Sequence, residues 1–260
     1  MATGRPAPQG AYVLHRYDWS ETSLILDLFT REAGRVAVAA KGAKRPYSQL
    51  RGVLLPFQRL LVSYGTRRGD SESDIVTLKT AEWAGGGAML SGAALFSGFY
   101  LNELLMKLLA RHDPHPLVFD AYAHTLRSLA GGDELQAQAA LRAFELLLLR
   151  ALGLLPALDR VTLTQAPLQP GMPYALRAEG GVMPAADDEP LLSTEGLQAL
   201  EAALERQALG ALQSACLSHL PALKVQLRHS LHYHLGHQDL RTRRVMNDCV
   251  SGLSMDPTRA

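Results

Sequence analysis

Hydrophobic periodicity changes at Trp83 from short runs to a helical period, and that change limits the folds open to this chain. Before it, apolar residues come in short runs bounded by Gly, Pro, Asp and Ser, the pattern of strands joined by turns. Residues 11–15 (AYVLH), 23–30 (SLILDLFT), 34–40 (GRVAVAA), 53–64 and 74–81 (DIVTLKTA) read as five strands, with Glu32-Ala33-Gly34 as a hairpin turn. Beyond Trp83, apolar residues recur at three- and four-residue spacing over 94–110, 117–130 and 133–152, the mark of amphipathic helices. Pro116 opens the second of these, Gly131-Gly132 closes it, and Gly153 and Pro156 stop the third.

Five short strands in about 80 residues match an OB barrel in size and strand count, although SH3-like barrels also have five. The three helices, joined by short loops, are expected to pack as an antiparallel bundle. From 159 to 189 the helical period disappears among Pro167, Pro170, Pro173, Pro184, Gly171, Gly180 and Gly181. There, residues 174–177 and 181–183 can pair as a small hairpin across Glu179-Gly180. A short helix follows over 194–207 with Ser193 as its N-cap, then a longer one over 221–235 closed by Gly236. The expected fold is therefore α+β: an N-terminal five-stranded OB-fold barrel and a mostly α-helical domain with a β-hairpin insertion. The expected divisions are 1–82 for the barrel, 83–158 for the helical bundle, 159–190 for the irregular hairpin segment, 191–250 for the C-terminal helices and 251–260 for a tail.

A hydrophobic content of 47% with 20% charged residues is globular, and the Leu- and Ala-rich second half suits helices. No run of 18 uncharged apolar residues occurs, and MATGRPAPQG lacks the apolar centre of a signal peptide, so no membrane partner and a cytoplasmic location are expected. Cys216 and Cys249 alone make no disulfide framework and suit a reducing compartment.

Net charge is only +1, but it is unevenly spread. Residues 1–80 hold 12 Lys and Arg against 7 Asp and Glu, and residues 81–260 hold 14 against 18. Within the first part, residues 34–69 carry eight cations (Arg35, Lys41, Lys44, Arg45, Arg51, Arg59, Arg67 and Arg68) and no carboxylate. Such a stretch is either a solvated surface or a polyanion site. A long cationic loop between strands, with Tyr47 inside it and Tyr64 beyond, fits single-stranded nucleic acid, since cations meet phosphates and rings stack on bases. Arg35, Lys41, Lys44, Arg45, Arg51 and Arg59 are the expected phosphate contacts. Leu240-Arg241-Thr242-Arg243-Arg244 adds a second, weaker basic cluster.

Motifs for bond-making chemistry are missing. There is no GxxxxGK[ST] loop and no GxSxG elbow, and Gly85-Gly86-Gly87 precedes no phosphate-binding signature. His229, His232, His234 and His237 lie close in sequence, but on a helix His234 falls nearly opposite His232, so no catalytic residue, metal or cofactor is assigned. A rival DNA-processing hydrolase would need acidic metal ligands, and candidates such as Asp187, Asp188 and Glu189 are adjacent in a loop rather than presented from a fixed scaffold. A second rival is a protein-only adaptor whose basic loop meets an acidic partner. Arg142, at the edge of the apolar face of ALRAFELLLLRALG, either snorkels over apolar surface or presents a guanidinium beside a groove, ready for the carboxylate of a partner's peptide.

Taken in order, YVLHRYDWSETSLILDLFTREAGRVAVAAKGAKR, LRGVLLPFQRLLVSYG, LFSGFYLNELLMKLL, LRAFELLLLRALG and LGHQDLRTRRV resemble the RecO family of bacterial recombination mediators. The resemblance covers nearly the whole chain, with 159–220 matched poorly. It implies an OB domain before a helical one, binding of single- and double-stranded DNA, and annealing of complementary strands in the nucleoid. It also implies partnership with the C-terminal tail of single-stranded-DNA-binding protein, with RecR and, functionally, with RecA. Arg142 falls in the family's LRxFE motif, which would receive the tail's carboxylate. Many family members carry two C-x-x-C pairs that bind zinc; here the corresponding places read Val161-Thr162-Leu163-Thr164 and Met183-Pro184-Ala185-Ala186. No thiolate is offered, so the chain resembles the zinc-free branch, its hairpin expected to be held by packing alone.

Overall fold

The computed structural model describes residues 7–65, 74–242 and 244–245. Arg67, Arg68, Arg243, Cys249 and the expected tail 251–260 lie outside the described residues. Two compact units divide the chain, Met1–Phe119 and Asp120–Ala260.

The first unit is built on β1 (Gln9–Asp18), β2 (Leu24–Thr30), β3 (Gly34–Ala40), β4 (Leu60–Tyr64) and β5 (Val76–Trp83), which close a barrel in the order β1-β2-β3-β5-β4. β4 returns to β1, β3 and β5 run parallel, and every other pairing is antiparallel, giving the Greek-key closure of an OB barrel. Alternate residues fill the interior: Val13 of β1, Leu26 and Leu28 of β2, Val36 and Val38 of β3, Leu60 and Val62 of β4. β3 shows no alternation in burial, because its other face is buried as well. Phe119 packs its ring against Tyr12 and Phe29, and Asn102 donates to the carbonyl of Leu14 at 3.0 Å. Gly34 turns the β2–β3 hairpin at φ +66°, where an added Cβ would run into the carbonyl of Asp113, so only glycine fits.

Two sequence expectations change here. The run 53–64 is not one strand: a single helical turn, α1 (Leu50–Val53), comes first, and Phe57 with φ +65° breaks the path before β4 starts at Leu60. The first long helix, α2 (Gly92–Leu108), falls in the barrel's unit rather than with α3 and α4, and the last barrel strand runs to Trp83, one residue past the expected division.

In the second unit α3 (Pro116–Ala130), most of which lies there, and α4 (Glu134–Ala151) meet through the rings of Tyr122 and Phe144, 6.4 Å apart. Asp133 caps α4 by accepting from the backbone of Gln136, and every residue from Ala143 to Leu149 is buried, as a central helix requires. α5 (Thr194–Glu205), α6 (Leu209–Leu217) and α7 (Leu220–His234) follow. α6 was not expected from the sequence: it spans 9 residues, carries Gly210 and Ser214, and shows too little periodicity to read. Arg150 near the end of α4 grips Glu201 of α5 through both carboxylate oxygens, at 2.7 and 2.8 Å, and Glu201 also accepts from the backbone of Leu158.

The hairpin forms as read, β6 (Tyr174–Arg177) against β7 (Gly181–Pro184), but not by packing alone. Thr162 Oγ1 accepts from Val182 N at 2.8 Å, Gln226 Oε1 accepts from Leu176 N at 3.0 Å, and Arg177 clasps Glu189 at 2.7 and 2.9 Å. Hydrogen bonds and an ion pair thus contribute to holding the segment. The Arg177 hydrogen bond keeps the Glu189 carboxyl below its usual range, so that carboxylate is already engaged within the hairpin.

Candidate nucleic-acid interface

Beyond Ala40 the chain leaves the barrel wall, and the sequence decides which side chains turn outward. Ala43 and Leu54, each 1% exposed, anchor the two ends of the connection in the core. Successive turns between them, Arg45 N to Gly42 O, Ser48 N to Arg45 O and Arg51 N to Ser48 O, keep the backbone tight against the barrel. The charged residues left exposed are all cationic: Lys41, Arg45, Arg51 and Arg59, with Tyr47 99% exposed among them. A fixed backbone carrying free cations is suited to a phosphate chain, whose charge it meets without ordering a long loop.

The other expected contacts are placed differently. Arg35 is buried and does not belong to this surface. Its Nε and Nη2 donate to the two oxygens of Asp27, at 3.2 and 2.9 Å, and its Nη1 donates to the carbonyls of Met106 and Leu109, at 2.6 and 2.7 Å. It therefore ties β2 and β3 to the open C-terminal end of α2, a place where a cation is favoured. Lys44 is half-buried and engaged: its ammonium lies 3.0 Å from Asp18 and donates to the carbonyl of Ser20 at 2.9 Å. Tyr64 is no stacking ring either. It packs on the barrel core and accepts from Gln9 at 2.7 Å, with burial pushing its hydroxyl above the usual range.

One aromatic row escaped the sequence reading. β1 runs on to Asp18, so His15 and Tyr17 point the same way on its exposed end, their rings 4.4 Å apart, and Trp19 follows at 54% exposure. The alternation His-x-Tyr-x-Trp in HRYDWS was the available signal. It was lost because the first strand was ended at His15.

In the second unit Arg142 is partly covered, its side chain 13% exposed, and Nη2 donates to Glu145 Oε1 at 2.7 Å. Glu145 is 1% exposed, so the guanidinium is held in one orientation and a ligand carboxylate must share it. Burial pushes the neighbouring Cys216 thiol up to about 12, Arg142 pulling it down and Glu145 adding to the rise. In a Cys249→Ser background, Cys216 is expected to resist thiol reagents at pH 8 until the protein unfolds. Because the folded value lies above the unfolded one, that part of the stability is present below pH 9 and is lost as pH rises toward 12. Denaturant titrations at pH 7 and pH 10, compared with Cys216→Ala, check the sign.

Among the described residues no group of three His, Cys, Asp or Glu converges as metal ligands. The His-rich end of α7 instead forms ring contacts, His232 with His237 at 5.0 Å and Tyr233 with His234 at 5.2 Å. Among the described residues no helix is long and apolar enough to cross a membrane.

A closed OB barrel with outward cations and rings on its loops defines a protein of the oligonucleotide-binding barrel class. Residues 7–86 match the family described as Recombination protein O N terminal, and residues 89–244 match Recombination protein O C terminal. The chain is 55% identical over 251 residues to the DNA repair protein RecO of Polaromonas naphthalenivorans (strain CJ2), covering 95% of this chain and 98% of that one. It is 53% identical over 251 residues to that of Delftia acidovorans (strain DSM 14801 / SPH-1), with the same coverage. It is 51% identical over 253 residues to that of Albidiferax ferrireducens (strain ATCC BAA-621 / DSM 15236 / T118), covering 96% and 99%. The chain belongs to the RecO family of DNA repair proteins.

Proposed function

We propose that this chain is a recombination mediator that binds single- and double-stranded DNA, anneals complementary strands and, with RecR, helps load RecA onto DNA coated by single-stranded-DNA-binding protein. The observation that carries the reading is the set of exposed cations, Lys41, Arg45, Arg51 and Arg59, beside solvent-facing rings on one OB barrel. Neutralising phosphates lowers the repulsion between two strands. Holding the coat protein's tail at the same time raises the local concentration of the strand it covers, so annealing is accelerated with no bond made or broken. Arg142 is the proposed receptor for the tail's carboxylate, its plane already fixed by Glu145.

The test separates the two grips. Arg142→Ala is expected to weaken binding of the tail peptide by about 10- to 100-fold, the range for truncating an arginine hot spot. Naked-DNA affinity should stay within about twofold, because phosphate contacts on the barrel are untouched. Circular dichroism verifies that the variant is folded, and Arg142→Lys keeps the charge while losing the planar fork. Equal loss of peptide and DNA binding in a folded variant removes the two-grip picture.

A further inference from the structure

Beside the basic loop lies a cleft of about 360 Å³ lined by Trp19, Thr22, Ser23, Lys41, Gly42 and Arg45. That volume is at the lower end of small-ligand pockets, which run from about 300 to 1,000 Å³. Its two walls are laced together. Lys44 N donates to Thr22 O at 2.9 Å, Gly42 N to Ser23 Oγ at 3.4 Å, and the Lys44 ammonium to Ser20 O at 2.9 Å. Trp19 N and Ser20 N both donate to Ser23 O, which folds the β1–β2 turn back on itself beneath the indole.

The lining combines three chemistries within one small space: an indole face, hydroxyls on Thr22 and Ser23, and two exposed cations that no carboxylate among the lining residues offsets. Of the two acids that border the lining in sequence, Asp18 is paired with Lys44, and Glu21 is exposed and not among the lining residues. We infer that the cleft takes a single unpaired nucleotide, its base stacked on Trp19 and its phosphate held by Lys41 and Arg45. The inference rests on the DNA-binding reading above and sharpens it. A base inside a duplex has both faces covered by its neighbours and has none left to lay on an exposed indole. The cleft therefore favours single strands, whereas Arg51 and Arg59 meet phosphates of either form. Tyr17, one step back along the same row, lies where the next base would stack.

The chain has two tryptophans, so Trp83→Phe leaves Trp19 as the sole indole, excited selectively over the tyrosines at the red edge of its absorption. Titrating that variant with oligothymidylate is expected to quench Trp19 at the concentrations where anisotropy of the labelled oligonucleotide reports binding; a duplex of equal length quenches it little. Trp19→Ala is expected to weaken single-strand binding by about 5- to 150-fold, the range that stacking on one aromatic ring contributes. Duplex affinity should change less than twofold, and Trp19→Phe should restore most of the loss. A folded Trp19→Ala variant that loses single-strand and duplex affinity equally, or neither, overturns the assignment of the cleft while leaving DNA binding by the loop in place. Absence of any DNA binding by the unaltered protein overturns both readings.

Discussion

Replacing Arg35 with alanine is expected to lower the unfolding free energy by about 3–5 kcal/mol, the cost of breaking a buried ion pair from one side. The guanidinium is 9% exposed and makes four hydrogen-bond contacts, two to the carboxylate of Asp27 and two to carbonyls at the end of α2. Its loss leaves Asp27, 1% exposed, with Arg111 at 3.4 Å as its cationic neighbour among the described residues. The thermal midpoint of the full chain should fall by roughly 6–20 °C at the usual 2–4 °C per kcal/mol for a chain near this size. Arg35→Lys should recover little, since one ammonium cannot span four acceptors in a plane. If the folded variant, assayed cold, binds DNA as the parent does, Arg35 has a purely architectural role. A loss of stability below about 1 kcal/mol would contradict the burial argument.

Reversing charge at Lys41, Arg45 and Arg51 together is expected to reduce DNA affinity on the order of 10- to 100-fold near 50 mM salt and to slow annealing in parallel. The more diagnostic number is the salt dependence. Each single-strand phosphate contact contributes about 0.7 to the slope of log affinity against log salt, so three lost contacts flatten it by about 2. Lys44 is left out of this variant by design. Its ammonium bridges Asp18 and the Ser20 carbonyl, so Lys44→Glu would set two carboxylates against each other and part the loops, confusing structure with charge. Parent binding that is indifferent to salt, or annealing that survives the triple reversal, would remove the electrostatic grip.

The barrel was legible because turns and apolar runs mark its strands, and the helices because their caps and periods are strong. What could not be read were places where tertiary packing outweighs local pattern. A charged residue in a strand reads as surface, and Arg35 was placed there. Yet hairpin register sets Asp27 opposite Ala37 and Arg35 opposite Phe29, which makes the two charges diagonal neighbours on one face. Counting the pairing outward from the Thr30–Gly34 turn was enough to suggest an ion pair; burial of both faces was not visible. α1 is four residues long, too short for any period, and Tyr64 looked free because nothing in sequence places Gln9 beside it. The exposed cations were readable from charge alone. The indole cleft was not: β2–β3 register, with Leu24 opposite Ala40, rather than the barrel's closure, brings its two walls side by side, but that Trp19 turns its indole over them cannot be read from the pattern.

That closure is thin at one point. Among the described residues β3 and β5 share only the pairs Val38–Val76 and Ala39–Thr77, and the chain between those strands includes both β4 and the connection that carries the cations. Joining them demands a long excursion before any reward, so this seam should be among the last parts to zip and the first to part. A DNA strand bound across the excursion, as proposed above, would favour the zipped form by mass action and act as a clasp on the barrel.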